Sequence, residues 1–166
     1  MKKDVEFMQL ALEQAKQAMA ILEVPIGCVI VDEENVVISS AYNKVENHKD
    51  AMSHAEILAL KKASQVVGDW RLTGATLYTT VEPCLMCSGA VILSRVKRVV
   101  YGCKDARHGG AGSLTDLFAL DHPIHKVDVV GGVLENEARE LLQKFFHQRR
   151  REKCLHSKSK IDCLKN

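Results

Sequence analysis

The chain has 166 residues and a formal net charge of +2, with 46% hydrophobic and 27% charged residues. These values place it among soluble globular proteins and predict a single domain with a substantial core. The longest apolar runs, such as residues 26–31, are far too short to span a bilayer. The first residues show neither a signal-peptide nor a transit-peptide pattern. We therefore expect a cytoplasmic protein with no membrane partner.

The cysteines and the charge distribution narrow the class of protein further. Among six cysteines, two lie three residues apart, which in a reducing compartment indicates metal or redox chemistry rather than a disulfide framework. Residues 144–166 contain eight Lys or Arg and two Asp or Glu, so the net charge of +6 there contrasts with −4 in the rest of the chain. A cationic end favours a polyanionic partner, and the alternative is a solvated tail that binds nothing.

The first half of the chain predicts a helix, a hairpin and a second helix. Apolar residues recur at three- and four-residue steps on one face of the first twenty residues, and Pro25 ends this helix. Ser53 and Glu56 form a Ser-x-x-Glu capping pattern ahead of an apolar stretch. The predicted elements are a helix over residues 1–20, strands over 26–31 and 36–41, and a helix from Ser53 to near Gly68.

The second half of the chain alternates strands and helices around a glycine-rich loop at residues 105–113. This alternation favours parallel crossovers with helices on both faces, and the hairpin makes the sheet mixed. We predict an α/β fold: a three-layer α/β/α domain over residues 1–153 with a mixed five-stranded sheet, followed by a flexible basic tail at 154–166. The predicted elements are strands at 75–81, 96–102 and 126–130, and helices over 83–93, 114–120 and 135–153, with Pro83 in a first turn.

Two motifs contain the candidate metal ligands and the candidate proton-transfer residue: His54-Ala55-Glu56 and Pro83-Cys84-Leu85-Met86-Cys87. Cys84 and Cys87 are three positions apart, so a helix directs both thiols the same way, and its N-terminus favours the thiolate form. One imidazole and two thiolates leave a fourth tetrahedral position open, which is typical of catalytic zinc. We predict that His54, Cys84 and Cys87 bind Zn²⁺, and that Glu56 transfers protons between an activated water, a ring nitrogen and a leaving amine.

Each of these elements also has a simpler interpretation. Glu56 and Ser53 can form a capping box without any catalytic role, His54 can be an ordinary first-turn histidine, and a Cys-x-x-Cys motif has many uses. The combination is more specific. His-x-Glu, then about thirty residues, then Pro-Cys-x-x-Cys is the established signature of zinc-dependent nucleobase deaminases.

The sequence thus resembles the cytidine deaminase superfamily, and more closely the bacterial tRNA-specific adenosine deaminases. The resemblance implies the three-layer fold, one Zn²⁺ per subunit, a homodimer, and a tRNA anticodon stem-loop as partner. It also implies that the wobble adenosine of an arginine tRNA is converted to inosine. Besides the zinc motifs, it is carried by Glu23-Val24-Pro25-Ile26-Gly27, Asn43, Ala75-Thr76-Leu77-Tyr78 leading into Glu82-Pro83-Cys84, Arg98-Val99-Val100-Tyr101-Gly102, Asp105-Ala106-Arg107, Gly112-Ser113, Phe145-Phe146 and Arg149-Arg150-Arg151-Glu152.

Roles for the substrate-binding residues follow from this resemblance. Asn43 is expected to hydrogen-bond the flipped base, the Val24–Pro25 turn to wall the pocket, and Asp105 to contact a neighbouring ribose or phosphate. The remaining expected RNA contacts are Arg107, Phe146, Arg149 and Arg150. Alternatives stay open, since Asn43 can form a turn and the Phe145–Phe146 pair can pack in the core.

The chain departs from the family pattern in two places. Residues 121–125 are shorter than the family loop and lack its Asn, which puts contacts to flanking nucleotides in doubt. The tail has no counterpart; its Cys154, His156 and Cys163 can bind a second metal or belong to a disordered basic segment.

Two other functions remain open. One is a deaminase of a free base or nucleotide, such as guanine, cytosine or deoxycytidylate, which needs the same zinc site but no basic end. Cytidine deaminases proper usually have Cys at the position of His54, which argues against that branch. The other is a non-catalytic RNA-binding protein with structural zinc, which the presence of Glu56 disfavours.

Overall fold

The computed structural model describes residues 2–121 and 125–163, with side chains up to residue 152. None of the helices in these ranges combines the length and apolar character that a bilayer crossing requires. The elements in chain order are α1 (Lys2–Ala20), β1 (Gly27–Val31), β2 (Val37–Tyr42), α2 (Val45–His48), α3 (Ala55–Val67), β3 (Thr76–Val81), α4 (Leu85–Leu93), β4 (Arg98–Cys103), β5 (Asp128–Gly131) and α5 (Glu135–Cys163).

The five strands form one mixed sheet in the order β2-β1-β3-β4-β5. The hairpin strand β1 runs antiparallel to both β2 and β3, whereas β3, β4 and β5 are parallel to one another. The predicted mixed five-stranded sheet is therefore confirmed. The parallel pairing places the C-terminal ends of β3 and β4 side by side, and the candidate site lies at these ends.

Helices cover both faces of the sheet because β1, an interior strand, is apolar on both sides. Along β1, Cys28 and Ile30 pack with buried residues of α3 and α4. The alternating residues Val29 and Val31 pack instead with Met8 of α1. Helix α5 joins the α1 side, where it packs against the ends of β3 and β4. This alternation confirms the three-layer arrangement.

The capping-box prediction at Ser53 and Glu56 is wrong. His54 is the N-cap residue of α3, and its side chain makes no capping hydrogen bond. The Ser53 hydroxyl is used by the preceding turn, where it donates to Asp50 Oδ2 at 2.9 Å and lies 3.0 Å from His48 Nδ1. Glu56 therefore does not form a capping box with Ser53.

The helices also differ from prediction at α4, at residues 114–120, at α5 and at α2. Pro83 precedes α4, whose N-cap is Cys84, instead of lying in its first turn. Residues 114–120 are not helical: they form bends on either side of an isolated β-bridge from Asp116 to Ala111. Asp116 Oδ1 accepts hydrogen bonds from the backbone N–H groups of Phe118 and Ala119. The final helix continues to Cys163, ten residues beyond its predicted end, so the predicted tail at 154–166 begins within a helix. The short helix α2 was not predicted.

An ion pair anchors the N-terminal helix to the sheet. Arg98 of β4 donates to Asp4 through Nη1 at 2.7 Å and Nη2 at 3.2 Å, and the Tyr78 hydroxyl donates to the same carboxylate at 3.0 Å. The hydrogen bond from Arg98 is the main reason that the pKa of Asp4 lies below its usual 3.8. The folded state therefore favours the ionised carboxylate.

We expect Asp4→Asn to lower the free energy of unfolding by about 1–2 kcal/mol at pH 7, because it removes a bidentate charged contact that is partly buried. A carboxyl group with a depressed folded-state pKa stabilises the fold above its unfolded pKa, and this stabilisation disappears as pH falls through the folded value. The difference between the two proteins should thus shrink as the pH falls from about 3.8, and vanish once the pH is below the lower folded-state pKa of Asp4. Denaturant unfolding measures it, with the exposed Asp121→Asn as control; equal stabilities at pH 7 would contradict the prediction.

Candidate metal centre and active-site cavity

The structure brings together the three predicted metal ligands. His54 Nδ1 lies 3.6 Å from the Sγ atoms of both Cys84 and Cys87, and all three ligand atoms are within 4.8 Å of one another. Tetrahedral zinc, with Zn–N near 2.1 Å and Zn–S near 2.3 Å, separates such N and S atoms by about 3.6 Å. The spacing therefore fits a single zinc ion.

Two helix N-termini position these ligands. His54 is the N-cap of α3 and Cys84 is the N-cap of α4, with Cys87 in the first turn of α4. Neither side chain makes a capping hydrogen bond to its own helix, so both are directed to the ligand cluster instead. The helix dipoles at this point favour thiolates.

The protonation of the three ligands is coupled. Hydrogen bonds, first from Cys87 and then from His54, lower the pKa of Cys84 to about 4. The contact with Cys84 and burial raise the pKa of Cys87, and the contact with Cys84 raises the pKa of His54. Cys84 is therefore the more acidic of the two thiols, and the proton of Cys87 is the harder one to remove. A divalent cation would stabilise the second thiolate and displace that proton.

Glu56 is a buried carboxyl group beside this cluster. Its side chain is 3% exposed, and among the described residues Oε2 has no hydrogen-bond partner. Burial raises the pKa of Glu56 from 4.5 to about 6. A buried carboxyl oxygen without a hydrogen-bond partner costs free energy. Its position beside the three ligands therefore suits a hydrogen bond to a group that the cluster binds. The donor set and this oxygen together fit a catalytic zinc site.

A cavity of about 880 Å³ opens over the cluster. Its lining includes His54, Glu56 and Cys84 together with six of the predicted substrate-binding residues: Val24, Asn43, Asp105, Arg107, Phe146 and Arg150. Arg149 lines an adjoining cavity of about 490 Å³, which shares Val24 and Phe146 with the first. Pro25 is buried and does not belong to either lining.

Asn43 is oriented by a residue to which sequence reasoning gave no role. It is 4% exposed, and its Nδ2 donates to Glu23 Oε2 at 3.0 Å. The other oxygen of Glu23 accepts the backbone N–H of Asn47 at 2.7 Å. Glu23 therefore links the predicted base-binding amide to α2. The only sequence signal was an acidic residue immediately before the Val24–Pro25 turn.

The carboxylate of Asp105 is directed into its own loop. Its Oδ1 accepts the backbone N–H groups of Arg107 at 2.9 Å and His108 at 3.3 Å, and its Oδ2 lies 3.1 Å from His108 Nδ1. Glu82, the second acidic residue without a predicted role, lines the cavity beneath this loop. Asp105 therefore shapes the wall from which Arg107 projects.

The two phenylalanines of α5 have different environments. Phe145 is 6% exposed, as the core-packing interpretation predicts, whereas Phe146 is 45% exposed at the cavity. Their rings meet edge to face at 5.4 Å. Farther along, Arg149 Nη1 donates to Glu152 Oε2 at 3.0 Å. Phe146 thus remains available for stacking.

Comparison with known proteins agrees with this geometry. Residues 1–103 match the zinc-binding region of cytidine and deoxycytidylate deaminases, which is more than half of the chain. The chain belongs to this deaminase family. The predicted recognition and the predicted enzyme class are therefore confirmed.

Individual deaminases show similarity over most of the chain. A tRNA-specific adenosine deaminase of Bacillus subtilis (strain 168) is 43% identical over 92% of this chain and 94% of its own length. A structure from a study of A-to-I editing by tRNA:A34 deaminases at the wobble position is 39% identical, covers 82% of this chain and 99% of its own, and has a TM-score of 0.79. A guanine deaminase from Bacillus subtilis is 32% identical over 74% of this chain and 81% of its own, with a TM-score of 0.59.

We expect Cys87→Ala to lower the zinc content of the purified deaminase from about one ion per chain to a small fraction, because only two protein ligands remain. Cys103→Ala is the matched control, since Cys103 is also buried but lies outside the ligand cluster. Elemental analysis measures both proteins. Equal zinc in the two variants would show that Cys87 is not a ligand.

Proposed function

We propose that this deaminase converts adenosine to inosine at the wobble position of a tRNA anticodon, with an arginine tRNA as the main substrate. The observation that carries the proposal is the unpartnered Glu56 carboxyl oxygen beside the His54, Cys84 and Cys87 cluster, at the floor of an open cavity. The tRNA-specific adenosine deaminase from Bacillus subtilis supports the substrate class.

Each site residue has a task in this hydrolysis. Zinc held by His54, Cys84 and Cys87 would supply the Lewis acidity that activates water near neutral pH. Glu56 accepts a proton from the attacking water and delivers it to the ring nitrogen next to C6. It then carries a second proton to the amino group. A C6–O bond forms, the C6–N6 bond breaks, and ammonia leaves. The raised pKa of Glu56, about 6, suits a group that both takes and gives protons.

The cavity walls suit a base that is already unpaired. An anticodon base lies in a loop, so extruding it costs less than opening a duplex. Asn43, held by Glu23, hydrogen-bonds the edge of the base, and Val24 packs against it. The cationic side chains Arg107, Arg149 and Arg150 contact phosphates, and Phe146 stacks on a neighbouring base.

A free-base substrate is the second candidate, since one similar structure is a guanine deaminase. The cavity rim, formed by Arg107, Phe146 and Arg150, distinguishes the two substrates. A free base does not use the arginines at the mouth of the cavity or the exposed Phe146, whereas an RNA loop occupies them. The rim therefore favours the polynucleotide.

We also propose that the enzyme is a cytoplasmic homodimer with one zinc ion per subunit. The basic segment 154–166 would supply further positive charge for binding RNA. Light scattering tests the dimer, because one chain has a mass of 18.4 kDa. A particle of that mass would contradict it.

We expect the wild type to form inosine in an anticodon stem-loop with adenosine at the wobble position, and Glu56→Gln to lower the rate by about 100-fold or more, because the amide cannot carry protons. Glu34→Gln, the same change on an exposed turn, is the control. Free adenosine, guanine, cytosine and deoxycytidylate are assayed in parallel. Formation of xanthine or uracil products without inosine would contradict the tRNA substrate, and an unchanged rate in Glu56→Gln would contradict the proton transfer.

A further inference from the structure

Glu82 lies between β3 and α4 and is almost completely buried, with 2% of its surface exposed. Its carboxylate accepts four hydrogen bonds, all from the loop at residues 105–113. Oε2 accepts the backbone N–H of Asp105 at 3.1 Å and the hydroxyl of Ser113. Oε1 accepts the N–H groups of Ala111 and Ser113, each at 3.0 Å. One buried side chain therefore holds both ends of this loop.

The loop also packs very closely on the segment that leads into the metal-binding helix. The Gly110 N–H donates to the carbonyl of Pro83 at 2.8 Å. A Cβ at Gly109 would lie only 2.4 Å from the carboxyl carbon of Glu82, so a larger residue does not fit without displacing that side chain. Glu82 and this glycine thus fix the distance between the loop and α4.

The other surface of the same loop faces the substrate cavity, where residues 104–108 form one wall. Within that wall, the Asp105 carboxylate fixes the turn through Arg107 and His108. The backbone of Asp105 is in turn held by Glu82. The wall therefore derives its position from Glu82, which is buried beneath the loop.

Charge matters at Glu82 because three of its partners are backbone N–H groups, which only donate. A carboxylate satisfies two donors at each oxygen. A glutamine of the same shape would keep one oxygen and turn an amide NH₂ toward at least one backbone N–H. At the position of Oε2 it would face the N–H of Asp105 and the Ser113 hydroxyl, and of these two only the hydroxyl can accept. Buried unsatisfied donors of this kind are costly, so the loop would leave its position.

We propose that Glu82 is a positioning residue: it holds the 105–113 loop in the shape that contacts the nucleotides next to the target base. It acts through the loop, without touching the reacting atoms or the metal. The inference deepens the proposed RNA function and rests on it, since a free base would not reach the outer part of this wall.

The test compares wild type, Glu82→Gln, Glu82→Asp and the control Glu34→Gln, each loaded with zinc. Hydrogen–deuterium exchange is measured on the loop, and kcat and KM are measured with the anticodon stem-loop. We expect the Glu82→Gln loop amides to exchange about 10-fold faster and KM to rise about 10-fold, which corresponds to the loss of roughly one charged hydrogen bond. The value of kcat and the zinc content stay near those of wild type, and Glu82→Asp recovers part of the KM.

Unchanged exchange in Glu82→Gln, an unchanged KM, or a loss confined to kcat or zinc would overturn the inference. Should Glu82→Gln fail to fold, Ser113→Ala removes a single donor and is expected to shift exchange and KM in the same direction by a smaller factor. The exchange measurement needs no substrate. Absence of inosine in wild type therefore contradicts the proposed function, whereas normal exchange in the variants contradicts the role of Glu82.

Discussion

The convergence of two helix N-termini on one point is the constraint on which the rest of the site depends. Parallel pairing of β3 and β4 fixes α4, and the packing of α3 on the same sheet face brings His54 to within 3.6 Å of both thiols. A carboxyl group two residues after the histidine then lies beside the cluster. The sheet thus brings together the proposed metal ligands and the proposed proton carrier, Glu56.

Three buried glutamates around the cavity differ in how their carboxyl oxygens are hydrogen-bonded. Glu23 holds Asn43 and the start of α2, and Glu82 holds the 105–113 loop, so the hydrogen-bonding capacity of each is used by a wall of the cavity. Glu56 differs, because one of its oxygens has no partner among the described residues. A carboxylate whose oxygens all have partners fixes structure, whereas a carboxyl oxygen without a partner suits proton exchange with a substrate. This difference supports the proposal that Glu56 is the reacting carboxyl group and that Glu23 and Glu82 support the cavity walls.

Short-range patterns predicted much of this structure. The alternation of strands and helices gave the sheet, and the spacing of Cys84 and Cys87 indicated a shared ligand direction, because both depend on periodicity along the chain. The pattern at Ser53 failed because its hydroxyl bonds to Asp50 instead of capping α3. The roles of Glu23 and Glu82 could not be predicted, since their partners lie 20 to 31 residues away. Only the tertiary fold brings such donors to a carboxylate.

X-ray absorption spectroscopy at the zinc edge of the purified protein tests the central claim most directly, because it reports the atoms around the metal. A first shell with two sulfur ligands at about 2.3 Å and two lighter nitrogen or oxygen ligands at about 2.0–2.1 Å is the predicted result. Two sulfurs match the pair Cys84 and Cys87, and the two lighter atoms match the nitrogen of His54 and a water molecule. A shell of four sulfurs, or protein without zinc at full activity, would contradict the account.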